Sequence, residues 1–314
     1  MKLSSILSTV GLLYLTVVNA AEVSVSVSAE ASTDTDTKTF SAPKDKDGKQ
    51  KIKTGAKFGK SGAKIDLCPS GDCINGQVIT LAMSRLQEFD ATGTSVAKAD
   101  NFNKGTNAWT PVETIMINGV SASVTTFAGD IDVGSSTAKF NLTTVIFEST
   151  SWAMNGAQNL TIPAGALKFS IAIQNWPFAT GTTDHYLKFA VTLKAKSKNS
   201  TTTLGAPKQT KGNATFARDT VDMGEGMYMD APTKAVIDDM DTDISAAVEI
   251  SGNLVEYVWR FPQFTELYYD PVVGSTDADA TPADATAPSP SGASMAMVAS
   301  SLVAGVAALS LALF

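Results

Sequence analysis

The chain has 314 residues, 44% of them hydrophobic, with 24 basic and 31 acidic residues and a formal charge of −7. That balance excludes general nucleic-acid binding, which needs a basic footprint. One histidine and two cysteines leave too few ligands for a zinc hydrolase or a zinc finger.

Residues 1–20 read as a secretory signal peptide. Lys2 supplies the positive start, the apolar run 6–18 is shorter than a bilayer span, and Val18-Asn19-Ala20 sets cleavage before Ala21. Residues 21–64 then read as a disordered leader, dominated by Ser, Thr, Asp and Lys, with little to bury. Within it, residues 44–64 hold eight lysines against two aspartates, a local +6. Such a run is either a solvated linker or a handle for a polyanion such as an acidic glycan or wall polymer. Gly55, Gly59, Lys60 and Ser61 fall one residue short of a phosphate-binding loop and follow no buried strand, so nucleotide binding is rejected.

Residues 65–273 read as the folded ectodomain, an all-β antiparallel sandwich of about ten strands with turn signals between them. Cys68 and Cys73, in an oxidising compartment, pair as a disulfide that pins a local Pro-Ser-Gly turn. Residues 77–83 suggest a strand, and 81–89 a short helix. Asn118-Gly119 between two apolar-rich runs is the strongest two-residue hairpin signal in the chain. Phe140, Leu142, Thr144 and Ile146 alternate with polar neighbours, which places Asn141 on an outer face. Leu167, Phe169, Ile171 and Ile173 alternate with Lys168, Ser170, Ala172 and Gln174, and residues 187–196 repeat the pattern. Trp176-Pro177-Phe178 reads as a strand end stopped by proline and covered by aromatics. Further strands are expected at 235–238 and 266–269, and a hairpin around 251–253. Asn141, Asn159, Asn199 and Asn213 each open an N-glycosylation sequon.

Candidate chemistry is sparse. His185 sits beside Asp184 without a serine elbow, so it reads as a surface turn residue and no catalytic residue is assigned. Glu113, Glu148, Glu225, Glu249, Glu256 and Glu266 are the carboxylates from which a glycosidase or transglycosylase would need two. Asp238, Asp239, Asp241 and Asp243 repeat the opening of an EF-hand loop, but Ile244 and Ile250 stand where that loop needs Gly and Glu. The four remain a candidate for a looser Ca²⁺ site, the one cofactor the sequence suggests. Asp219, Asp222 and Glu225, or Asp130 and Asp132, are possible additions. Trp109, Trp152 and Trp176 are candidates for stacking on sugar, whereas Trp259 alternates with Tyr257 and Phe261 and belongs in the core.

Residues 274–291 form a Pro/Ala/Thr/Ser stalk suited to O-glycosylation. Residues 292–314 read as the propeptide of a glycosylphosphatidylinositol (GPI) anchor. Small residues surround Ser291, the expected attachment site, with Gly292 as the alternative, and an apolar tail follows without flanking Lys or Arg. The sequence therefore points to a GPI-anchored glycoprotein on the outer face of the plasma membrane. Its expected role is a coat or adhesion component without catalysis, with glycans, wall polymers or surface proteins as partners. A lectin-like carbohydrate- or calcium-binding module and a wall-modifying glycosidase are the alternatives.

Overall fold

A computed structural model describes residues 38–41, 54–59, 62–99, 108–179, 181, 184–200, 203–212, 217–251 and 254–276. The signal peptide, Asn213, the stalk beyond 276, and Ser291 with Gly292 lie outside the described residues. Within them the chain is all β, with antiparallel sheets packed as a sandwich.

The first sheet contains β1 (Lys38–Ser41), β2 (Gly55–Phe58), β3 (Lys64–Cys68), β4 (Val78–Phe89), β5 (Ser95–Lys98), β13 (Tyr186–Lys196), β19 (Ser245–Ser251) and β20 (Leu254–Pro262). Its order is β1-β2-β3-β4-β13-β20-β19, with β5 on the far end of β4. The second contains β6 (Ala108–Trp109), β7 (Glu113–Ile117), β8 (Val120–Val133), β9 (Ser136–Phe147) and β12 (Leu167–Gln174) as one half. The other half is β14 (Lys208–Thr210), β15 (Arg218–Gly224), β16 (Met227–Pro232), β17 (Lys234–Ile237), β18 (Met240–Asp243), β21 (Glu266–Tyr269) and β22 (Val272–Ser275). This sheet forks. β12 pairs with β9 on one side and with both β21 and β22 on the other. Asp270 and Pro271 separate those two strands, and proline cannot donate to the ladder. β21 then leads to β17 and β18, while β22 leads to β16, β15 and β14. A hairpin of β10 (Ser151–Asn155) and β11 (Gln158–Ile162) pairs only with itself.

An aromatic chain fills the space between the sheets. Phe58 packs on Trp109 at 4.6 Å between centroids, Trp109 on Phe127, Phe127 on Phe140, Phe140 on Phe189, and Phe189 stacks on Trp259 at 5.6 Å. Tyr257, Tyr269 and Phe169 surround Trp259 edge-on. Offset and edge-to-face pairs of this kind add to plain area burial. A smaller cluster lies on the outside of the second sheet, where Ile162 of the hairpin covers Val124, Val145, Phe147 and Val272. Locally the molecule is therefore three layers thick.

Four expectations change. Thirteen of the 22 strands among the described residues are five residues or shorter, so the count rises well above ten. The span read as a disordered leader carries β1, β2 and the start of β3, and Phe58 and Ala56 enter the core. The short helix expected at 81–89 is strand instead. A bulge opposite Ala190 and Val191 flips the facing of β4, so Ile79, Leu81 and Met83 point inward before it and Leu86 and Glu88 after it. The resulting three-residue step mimics a helical period. Lys168, expected in water, is buried beneath the hairpin layer.

The turn reading at Asn118-Gly119 holds. Both residues have positive φ, at 53° and 75°, as a type I′ turn requires, and β7 and β8 pair directly across it.

Candidate functional site

The residues proposed for calcium do not converge. Asp238 and Asp239 form the β17–β18 turn, and Asp238 Oδ1 accepts hydrogen bonds from the backbone N–H groups of Thr265 and Glu266 at 2.9 and 2.8 Å. Asp241 accepts from Ala157 N–H at the tip of the β10–β11 hairpin. Asp243 faces Lys234 at 3.8 Å. Asp238, Asp241 and Asp243 each serve a different neighbour, and among the described residues no group of three or more His, Cys, Asp or Glu is arranged to hold a metal ion. The local spacing that suggested an EF-hand belongs to a hairpin: Asp238 and Asp239 fill its turn, and Asp241 and Asp243, on one face of β18, each meet a separate partner.

Four of the six glutamates are dispersed as well. Glu148 accepts from Ser121 and Glu225 from Ser197, while Glu113 and Glu266 are exposed on different strands. Glu249 and Glu256 stand opposite each other across β19 and β20, on the open face of the first sheet. Glu256 takes Arg85 at 2.8 Å and Ser84 at 2.6 Å, and Glu249 lies 3.4 to 3.9 Å from Lys188, Arg85 and Arg260. A cleft of about 300 Å³, lined by Leu193, Leu204, Met223 and Val255, has no carboxylate in its lining.

Cys68 and Cys73 are joined as a disulfide. The loop it closes is ordered by Asp72, whose side chain accepts from Ile74 and Asn75 N–H groups; these bonds hold its carboxyl below the usual range. Asn75 and Ile74 carbonyls in turn accept from Asn199 N–H and Lys196 Nζ, so the loop fastens the end of β13. Asn199 is exposed beside it, Asn141 is half-buried on the outer face of β9, and Asn159 lies on β11. Trp109, Trp176 and Trp259 are core residues and Trp152 is half-buried.

Three buried polar clusters escaped the sequence reading. Glu88, wholly buried, accepts from Trp176 Nε1–H at 3.2 Å and Ala179 N–H at 3.1 Å, and its Oε1 lies 2.6 Å from His185 Nδ1. Glu88 of β4 thus holds the Trp176-Pro177-Phe178 loop, and His185, read as a surface turn residue, joins the same carboxylate. Asp219 of β15 binds Tyr257 hydroxyl, Gln209, Lys211 and Gly212 N–H, and so ties the second sheet to the first. At the fork, Lys168 Nζ lies 2.8 Å from Asp270 Oδ2 and 2.6 Å from Ser170 Oγ, while Tyr268 hydroxyl donates to Asp270 at 3.0 Å. Burial alone would lower the Lys168 pKa, but Asp270 and Tyr268 outweigh it and the net shift is upward.

The largest feature is electrostatic. On the outer face of the first sheet, strand alternation turns eight cations outward: Lys57, Lys64, Arg85, Lys98, Lys188, Lys194, Lys196 and Arg260. Among the described residues of that face only Asp66, Glu249 and Glu256 oppose them, leaving +5. The outer face of the second sheet presents eight carboxylates, Glu113, Asp130, Asp132, Asp222, Asp230, Asp241, Asp243 and Glu266. Lys139, Lys208, Arg218 and Lys234 oppose them, leaving −4. A chain of net charge −7 thus carries one basic face.

The sequence profile of a family described as acidic skeletal organic matrix protein matches residues 24–314 of the chain. No curated protein matches it.

Proposed function

Because the chain belongs to the acidic skeletal organic matrix protein family, we propose that it is a non-catalytic structural glycoprotein of an extracellular organic matrix, delivered through the secretory pathway and held at the cell surface by a GPI anchor. The observation that carries this reading is the separation of charge onto two faces of one cross-tied sandwich, a design suited to holding partners rather than transforming them. Buried networks at Glu88, Asp219 and Lys168 fasten loops and sheets to one another, which suits a load-bearing scaffold. Three features support surface anchoring: the cleavable start, the stalk at 274–291 and the small residues around Ser291.

The test uses the full chain expressed in eukaryotic cells and treated with a phosphatidylinositol-specific phospholipase C. The protein is expected to appear on intact cells and to be released by the enzyme. Substituting Ser291 and Gly292 together with proline should abolish surface display. Retention after phospholipase treatment, or display unaffected by those substitutions, would overturn the anchor. Release of sugar from matrix polysaccharides by the purified protein would overturn the non-catalytic reading.

A further inference from the structure

Among the described residues, three carboxylates oppose the eight cations on the outer face of the first sheet, which leaves that face in need of a further counterpart. The described sheets pack about 10 Å apart, and a Debye length of about 8 Å at physiological ionic strength lets a ligand on one face respond chiefly to that face. The two faces also differ in their sugar load. The sequons at Asn141 and Asn159 lie on β9 and on the hairpin over the second sheet, whereas none of the strands of the first sheet carries one. Glycans on the acidic face would obstruct its stacking on the basic face of another copy, whereas the sequon Asn199 lies past the end of β13 rather than on a strand of the basic face.

The basic face is also ordered in advance. Lys98, Gln87, Lys188 and Arg260 fall in one row across four adjacent strands. In the next row along the same strands Phe89 and Tyr186 stack at 5.7 Å, with Lys188 Nζ 4.8 Å from the Phe89 ring and the Arg260 guanidinium 5.7 Å from the Tyr186 ring. Cation–aromatic contacts fix these long side chains, which lowers the entropy lost when they engage a ligand. Lys57 and Lys64 come from the lysine-rich run 44–64, so that run enters the same face through β2 and β3.

We propose that the outer face of the first sheet is a binding surface for an acidic polysaccharide, carboxylated or sulfated, laid across β5, β4, β13 and β20. Its charges engage Lys98, Lys188, Lys194 and Arg260, and sugar faces lie against the Phe89–Tyr186 pair. This deepens the matrix reading by naming a partner class, and rests on it for extracellular placement alone.

The test measures binding of the full glycosylated chain, in detergent, to immobilised chondroitin sulfate, polygalacturonate and neutral dextran between 0.05 and 0.5 M NaCl, salt concentrations chosen to span strong and weak screening. One or both acidic polymers should bind, the choice telling sulfate from carboxylate, with affinity falling as salt rises and with dextran inert. Lys98→Gln, Lys194→Gln and Arg260→Gln together should weaken binding about tenfold, from surface contacts worth about 0.5 kcal/mol each. A control removing Lys139, Lys208 and Lys234 from the acidic face should change nothing, and an unaltered melting temperature confirms that both variants fold. Equal loss in the two variants, binding to dextran, or no binding to either acidic polymer would overturn the proposal. So would self-association of the chain that the first variant abolishes while polysaccharide is ignored, since the occupant would then be a second copy. Localisation away from a matrix would sink the functional reading but leave this binding result standing.

Discussion

Removing Asp270 should be among the most damaging single changes available in this protein. Its carboxylate is fully buried, and Lys168 beside it is 5% exposed. After Asp270→Ala, the Lys168 ammonium keeps only Ser170 Oγ at 2.6 Å and Tyr268 hydroxyl at 3.4 Å. Breaking a buried ion pair from one side costs about 3–5 kcal/mol, because the remaining charge stays desolvated. At about 2–4 °C per kcal/mol for a domain of this size, the melting temperature should fall by roughly 10 °C. Replacing both partners by apolar residues, Lys168→Met with Asp270→Val, should recover most of that loss, since an apolar substitute for a buried pair is often neutral. Circular dichroism melts and urea titrations of the wild type, Lys168→Met, Asp270→Val and the double variant close the double-mutant cycle. The linkage sign is also fixed: a lysine whose folded pKa is raised contributes fully below about pH 10.5 and loses that contribution only as pH climbs through the folded value. A loss under about 1 kcal/mol for Asp270→Ala, or a double variant as unstable as the sum of the singles, would refute the reasoning.

Tyr228 is pushed up to about 12, chiefly by burial, and burial likewise raises Tyr257, Tyr268 and Tyr269. Phenols of the unfolded chain ionise near pH 10, so stability should hold below pH 10 and fall as pH rises beyond it. Absorbance at 295 nm should then show four of the five tyrosines that remain once residues 1–20, with Tyr14, are removed ionising only on unfolding; smooth ionisation of all five near pH 10 would contradict this. Asp238→Ala should cost about 1 kcal/mol through two lost turn hydrogen bonds, with the same cost in EDTA as in millimolar calcium; a calcium-dependent melting temperature lost in that variant would restore the metal reading. Glu88→Ala should cost about 3 kcal/mol and expose Trp176, which loses its indole partner. A blue-to-red shift in tryptophan emission would report that loosening, and an unchanged spectrum with unchanged stability would remove the anchoring role of Glu88.

The strands most readable from sequence were those with one face in the core and one in water. Leu187, Phe189, Val191 and Leu193 alternate cleanly, and β13 follows them. Legibility failed where that condition failed. The period of β4 was broken by its bulge, and Lys168 was misplaced because a hairpin from elsewhere in the chain covers the outer face of β12. His185 and Glu88 are 97 residues apart, and no local pattern joins them. The acidic run at 238–243 was visible as a run, but a hairpin disperses its carboxylates to three different partners. The basic face was hidden most deeply. Its cations come from six strands scattered between β2 and β20, and only the register of the sheet brings them together. Of that face the sequence displayed one corner, the lysine run ending at Lys64.

The central claim, a role in an extracellular skeletal matrix reached through a GPI-anchored precursor, is tested most directly on the skeleton itself. Mineral is dissolved from cleaned skeletal material, and the remaining organic fraction is digested and sequenced by mass spectrometry. The account predicts peptides from the sandwich with sugar on Asn141 or Asn159, and a C-terminal peptide ending at or near Ser291. Absence of the chain from that fraction, or recovery of peptides reaching through the apolar tail to Phe314, would contradict it.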